Sequence, residues 1–294
     1  MSQDPRGNDR RADVPGLPAG VGLTALSMAF ERCAESRRPD RLFEDRFAVV
    51  LTEHVKGTLR MMGTPGGGVA GDTWAFLREF VALRTRFFDD TMLTASLDCP
   101  QVVLLGAGMD SRAYRLAWPA GREVYEVDRG DVLRFKDGIA ARMGDEPRCG
   151  HTQVEADIRG DWPGALRAAG FDPWRPTVWS AEGLLPYLSA AENNHLLSRI
   201  TAMSANGSRL VADHFDRALE LSAEFTEMAE VLCAAGASWR STLDDPESWL
   251  GRHGWTCRTT DPAALGRLAG RELSPLFHPD STGGGHMWLV SAGR

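Results

Sequence analysis

Lysine is scarce in this chain. Of 33 basic residues only Lys56 and Lys136 are lysine, which reads as the mark of a GC-rich coding sequence. The five cysteines (Cys33, Cys99, Cys149, Cys233, Cys257) are scattered, with no Cys-x-x-Cys pair. That fits free thiols in a reducing cytoplasm better than a disulfide framework. No apolar run reaches the length needed to span a bilayer, and no apolar segment follows the polar N-terminus as in a signal peptide. The expectation is a cytoplasmic protein with no membrane partner. Positive charge is also in deficit, with a net charge of −7. A nucleic-acid-coating surface would be basic, so a small-molecule partner is favoured. The seven histidines are dispersed, with no His-Glu-x-x-His and no Cys/His cluster, so no metal site is expected. Gly66–Gly68 lacks the lysine of a phosphate-binding loop, and no Gly-x-Ser-x-Gly elbow occurs.

What is present is an ordinary globular composition, 43% hydrophobic and 25% charged over 294 residues, enough for one large α/β domain or two small ones. Residues 1–20, rich in Asp, Arg, Pro and Gly, read as a flexible tail. Helical spacing predicts helices over 23–35, 42–55 and 72–97, with Gly63–Gly68 as a loop. Strands and helices then alternate: strands 101–105, 123–127, 152–156, 177–180 and 208–213, separated by helices 112–118, 130–142, 163–169 and 189–205. That rhythm predicts a mainly parallel, doubly wound sheet. Residues 215–237 read as helical, 246–253 as a short helix, and 255–260 and 286–290 as the last strands.

The chemistry-bearing residues cluster at predicted strand ends, where an open α/β sheet binds its ligand. The apolar run Val102–Leu105 enters Gly106-Ala-Gly108, a turn that lets a ligand approach the backbone. A dinucleotide fingerprint needs a third glycine; here Ser111 stands there, and Asp110 would face a pyrophosphate unfavourably. A nucleoside cofactor without phosphates fits better, and S-adenosylmethionine is one. Asp128 ends the second strand, where a carboxylate accepts from ribose hydroxyls or caps the next helix. Asp157 ends the third, placed for an adenine amino group with Ile158 against the ring, or else a surface acid. Glu182 and Gly183 follow the fourth strand. Glu182 suits a sulfonium or ammonium, while Tyr187 either lines the acceptor side or is a core aromatic. Arg84 and Arg86 beside aromatics suit carboxylate binding, or ion pairs with Asp89 or Asp90. His214 and His286 are the remaining acid–base candidates.

Leu105-Gly-Ala-Gly-Met-Asp-Ser-Arg-Ala-Tyr-Arg-Leu116, Tyr125-Glu-Val-Asp128, Ala156-Asp-Ile158 and Ala181-Glu-Gly-Leu-Leu-Pro-Tyr-Leu188 resemble the leucine carboxyl methyltransferase family. The nearer likeness is to its bacterial branch of S-adenosylmethionine-dependent methyltransferases. Thr24-Ala-Leu, Glu35-Ser, Leu42-Phe-Glu-Asp45 and Arg84-Thr-Arg-Phe-Phe-Asp-Asp90 match that branch too. The resemblance spans residues 21 to about 215 and fades across 215–285. It implies an α/β, Rossmann-like class I methyltransferase fold with a mostly parallel seven-stranded sheet, an N-terminal helical extension and a helical lid. Residues 21–294 would form one domain: helical cap 21–98, cofactor-binding core 99–214, lid 215–253 and C-terminal strands 254–294. It implies S-adenosyl-L-methionine as cofactor and S-adenosyl-L-homocysteine as product. Arg84 would grip the cofactor's carboxylate, with Gly106, Ala107 and Gly108 beside its methionine portion. Asp128 and Arg129 would meet the ribose, Asp157 and Ile158 the adenine, Glu182 and Gly183 the amino-acid end. Asp110 and Arg112 match the family signature, where they either touch ligand or brace the loop.

The expected activity is O-methylation, with a carboxylate of a natural product or peptide as acceptor, because a carboxylate is already ionised at neutral pH and needs no base. A phenol or alcohol acceptor would need one, and Tyr187, His214 or His286 would serve. Two other readings stay open, a nicotinamide oxidoreductase and a non-catalytic binding module.

Overall fold

Short apolar runs with no polar alternation belong in a sheet covered on both faces, and Val102–Leu105 is fully buried in one. The computed structural model describes residues 21–62 and 71–294; the expected tail and the Gly63–Gly68 loop lie outside them. Before the sheet come helices α1 (Val21–Ser36), α2 (Arg46–Met62) and α3 (Gly71–Ala95). The alternating half contains β1 (Gln101–Leu105), α4 (Arg112–Arg115), β2 (Glu123–Asp128), α5 (Gly130–Met143) and β3 (Gly150–Glu155). It continues through α6 (Trp162–Ala168), β4 (Thr177–Ala181), α7 (Ala190–Ala202) and β5 (Arg209–Phe215). Then follow α8 (Arg217–Glu220), α9 (Ala223–Ala234), α10 (Pro246–Gly251), β6 (Thr256–Thr260), α11 (Pro262–Leu268) and β7 (Met287–Gly293).

Among the described residues one seven-stranded sheet forms, in the order β3-β2-β1-β4-β5-β7-β6. Strands β1 to β5 are parallel, and β7 runs antiparallel to both β5 and β6. Winding goes outward from β1 to β3, then returns to β4 on β1's other side. That reversal opens a crevice at the carboxyl ends of β1 and β4. Period-two alternation divides the core. Val103, Leu105, Tyr125 and Trp179 pack on one face with Trp162 and Phe171. Val102, Leu104, Val124 and Val178 pack on the other against Phe76, Phe80 and Phe88 of α3. A third cluster joins α1, α2 and α5 through Leu26, Phe47, Leu51 and Ile139.

Local signals explain several helix starts. Ser189 and Glu192 form a reciprocal capping box at α7. Asp261, followed by Pro262, caps α11, a helix not expected from periodicity although its start signal is present. The helix expected over 112–118 is a single turn, because Leu116 is extended and the Trp118 indole N–H folds back onto the Arg112 carbonyl at 2.9 Å. The stretch 215–237 is two helices, with Ser222 capping the second. Strand β5 runs two residues beyond the expected end because β7 pairs with its whole length, to Phe215 opposite Met287. Lys136 is wholly buried, 2.7 Å from Glu126, whose other oxygen lies 3.2 Å from His151.

Candidate functional site

At the end of β1 the chain must leave the sheet sharply. Gly106 (φ +63°) and Gly108 (φ +48°) do so in the left-handed region open to glycine. A Cβ on Gly106 would stand 3.1 Å from Leu184 Cδ1, and one on Gly108 3.0 Å from Ala25 Cβ. The N–H groups of Gly106 and Ala107 donate to the Val127 carbonyl at 2.9 and 3.2 Å, and that of Asp110 to Ala107. The Gly108 N–H donates to Asp128 Oδ2 at 2.6 Å. These four amides are thus committed within the protein, so this turn offers no amide nest for a phosphate.

Asp128 closes β2 facing this turn. Its Oδ1 accepts from the Arg129 N–H at 2.7 Å. The helix-cap position of α5 belongs to Arg129, so Asp128 is spared that task. Burial raises its carboxyl pKa, only partly offset by the two backbone donors. Asp157 sits exposed two residues past the end of β3, which stops at Glu155 rather than running to the expected residue 156, and its Oδ1 accepts from the Arg159 N–H at 2.8 Å.

Beyond the turn lies a buried ion network. Arg84 on α3 stands 3.1 Å from both Glu182 and Asp213. Arg112 reaches Glu182 at 2.6 Å and Asp89 at 2.7 Å, and also pairs with Asp110. Arg115 shares Asp89, and Arg32 holds Asp45 at 2.8 Å. Four arginines meet five carboxylates, one net negative charge. Burial alone would raise Glu182, but the Arg112 and Arg84 charges hold it below its usual range. Against the same burial, Arg112 keeps Asp110 at about 2. Asp213 goes the other way: burial raises it despite Arg84. Asp110 and Arg112 therefore brace the loop in this structure. Gly183 (φ +60°) completes the network, its N–H donating to Asp213 at 2.6 Å. A Cβ there would lie 3.2 Å from Arg84 Nη1.

One cavity of about 550 Å³ gathers these groups. Its lining includes Arg84, Gly106, Ala107, Gly108, Asp128 and Arg129, and also Asp157, Ile158, Glu182, Gly183 and Tyr187. Burial raises the pKa of Tyr187, against the influence of the neighbouring Thr24 and Trp239 side chains. The far wall is apolar, with Trp74 and Phe80 from α3, Phe225 and Met228 from α9, Trp239 and Met287.

His214 is not among the lining residues, a correction to its candidacy. It lies inside β5, not after it, and alternation turns it away from the face that carries Asp213 and Phe215 to the cavity. Its Nδ1 accepts from the Phe215 N–H at 2.8 Å, and Nε2 meets the Ser241 hydroxyl at 3.2 Å. Burial lowers its pKa to about 4. His286 also lies off the cavity, stacked on Trp288 and 2.9 Å from Asp216. Arg86 pairs with Asp90 at 2.7 Å on the exposed side of α3. Asp213 escaped sequence reasoning, although an acid at the end of a fifth strand was the available signal.

The profile of the leucine carboxyl methyltransferase family matches residues 25–201. A provisionally assigned S-adenosyl-L-methionine-dependent methyltransferase of Parafrankia sp. (strain EAN1pec) is 42% identical over 84% of this chain and 80% of its own. Another, of Saccharopolyspora erythraea, is 39% identical over 88% and 91%. Among solved structures, a protein of Thermobifida fusca provisionally assigned as a methyltransferase superposes with a TM-score of 0.55 at 15% identity, covering 84% of this chain and 87% of that one. A DUF574 family protein of Streptomyces avermitilis gives 0.57 at 13%, covering 85% and 95%. These likenesses place the architecture in the class I methyltransferase fold.

Proposed function

The chain belongs to the leucine carboxyl methyltransferase family, and from that premise we propose that it moves a methyl group from S-adenosyl-L-methionine to a carboxylate oxygen of a small acceptor. The cavity suits that cofactor. The turn at Gly106 and Gly108 has no room for a Cβ and no spare amide for a pyrophosphate. Asp128 keeps a lone pair on each oxygen after its two backbone bonds, which suits two ribose hydroxyls. Asp157 and Ile158 take the adenine edge, with Arg129 at the rim. Arg84, Glu182 and Gly183 take the amino-acid end. The network's single negative charge complements a cofactor carrying one net positive charge.

S-adenosyl-L-methionine supplies a methyl group on a positively charged sulfur, open to in-line attack. The protein's task is to align an oxygen with that methyl and keep water out, which needs no covalent step by a side chain.

The observation that carries the choice of acceptor is which groups line the cavity. Among the described lining residues there is no histidine and no lysine. Glu182 and Asp110 are held ionised and weakly basic by arginines, Asp213, whose pKa burial raises, is engaged by Arg84 and the Gly183 N–H, and burial keeps Tyr187 protonated. To take its proton, an alcohol or phenol would meet only carboxylates already engaged by arginines or backbone N–H groups. A carboxylate arrives already ionised. Tyr187 then acts as a donor that orients the acceptor oxygen.

The test is the alkali lability of the product. Transfer of a labelled methyl should yield an ester that releases methanol in base. An alkali-stable ether or N-methyl product would overturn the carboxylate assignment.

A further inference from the structure

The charged and apolar parts of the cavity are segregated. Its buried charges sit at the glycine turn and are paired there: Arg84 with Glu182 and Asp213, Arg112 with Asp89 and Glu182. The opposite wall is assembled from α3, β5, α9 and Trp239. Its aromatic rings close on one another: Phe215 to Trp239 with centroids 4.7 Å apart, Phe225 to Trp239 5.7 Å, and Phe76 to Phe225 5.7 Å. Phe76, Phe215 and Phe225 are each only 2% exposed. The wall's polar atoms are the indole N–H groups of Trp74 and Trp239, the latter beside the Tyr187 hydroxyl.

A peptide carboxylate carries an amide within a few atoms of the reacting oxygen. That amide needs partners for both N–H and C=O, and burying it unpaired is costly. The rings of the aromatic wall offer no acceptor for the N–H, and no donor beyond the indole N–H groups of Trp74 and Trp239. A second negative charge on the acceptor would meet no unpaired arginine among the described lining residues. The cavity's volume of about 550 Å³ is shared with the cofactor, which limits the acceptor's size.

We infer that the acceptor is a small monocarboxylic acid with an uncharged, apolar body, and that the chamber between α3, α9 and Trp239 discriminates against peptide C-termini. This rests on the carboxylate assignment above. The experiment compares decanoic acid, 4-hexylphenol and N-acetyl-leucyl-leucine in two ways: methyl transfer, and calorimetric binding to full-length protein saturated with S-adenosyl-L-homocysteine. Decanoic acid should bind, and be methylated, at least about tenfold better than the dipeptide. A dipeptide that binds or reacts as well as decanoic acid overturns the inference and leaves the carboxylate assignment standing. Methylation of the phenol alone overturns the carboxylate assignment and upholds the apolar chamber. If no probe turns over, the binding ratio decides, and failure of decanoic acid to bind counts against the inference. The half-buried Leu232 of α9 also lines the cavity. Leu232→Asp should weaken decanoic acid binding at least about tenfold through the buried charge, with S-adenosyl-L-homocysteine affinity unchanged as the control for folding. An unchanged decanoic acid affinity in that variant likewise overturns the inference.

Discussion

Replacing Asp128 by Asn changes one functional group and almost no volume, so it isolates what the carboxylate does. Each Asp128 oxygen accepts one backbone N–H, from Gly108 at 2.6 Å and from Arg129 at 2.7 Å, and keeps a lone pair for a ribose hydroxyl. Asn retains one acceptor oxygen and presents an NH₂ where the other stood, so one charge-assisted bond to the ribose is lost outright. Such a bond is worth about 1.5–3 kcal/mol, or roughly 10- to 150-fold in affinity. Two effects oppose each other in stability. The amide faces one backbone donor with another donor, which costs stability. It also removes a buried charge, whose burden shows as the raised pKa of Asp128 and is felt at pH values above that pKa. The melting temperature of Asp128→Asn should therefore move little while its dissociation constant for S-adenosyl-L-homocysteine rises at least about tenfold. Isothermal calorimetry beside a thermal melt reads both. The raised pKa adds a sign. Wild-type affinity should fall as pH drops, starting above the usual aspartate range, and the Asn variant should lack that slope. A variant that folds and binds within about threefold of wild type would refute the ribose role.

Three further outcomes follow from the geometry. Gly108→Ala puts a side chain at φ +48° and 3.0 Å from Ala25; it should cost about 1–3 kcal/mol and weaken S-adenosyl-L-homocysteine binding, and an unchanged urea midpoint would argue against the strained turn. Arg112→Met leaves Asp89, Asp110 and Glu182 without their shared partner, and should cost about 3–5 kcal/mol in urea unfolding, where a loss under about 1 kcal/mol would show the network to be dispensable. His214→Gln should keep methyl transfer near wild type. Because burial holds His214 near a pKa of about 4, the unfolded chain binds a proton that the folded one excludes between there and the ordinary value near 6.5. Wild type should thus lose up to about 3 kcal/mol as pH falls through that window, and the Gln variant should lose less. Abolished turnover in His214→Gln with cofactor binding intact would return this residue to the reacting centre.

The cofactor half of the cavity was legible because its determinants are local. A strand running into Gly106 and Gly108, an acid closing the next strand at Asp128 and another just past the third at Asp157 are short-range patterns that fold into a parallel sheet by well-known rules. The same patterns could not say what faces what. Arg84 and Asp213 lie 129 positions apart and Arg112 and Glu182 lie 70 apart. Their pairing is decided when α3 packs on the sheet. His214 looked like a loop residue until β7 paired along the whole of β5; the two added strand positions turned its ring to the far face, while Asp213 and Phe215 kept the cavity. By itself, then, the order of residues determined the sheet, the glycine turn and the acids at its strand ends, because each follows from backbone preference within a few residues. Which charges neutralise one another, and the apolar chamber built from Trp74, Phe225, Trp239 and Met287, were decided by tertiary structure alone, because burial and ion pairing depend on neighbours that the chain brings from far away.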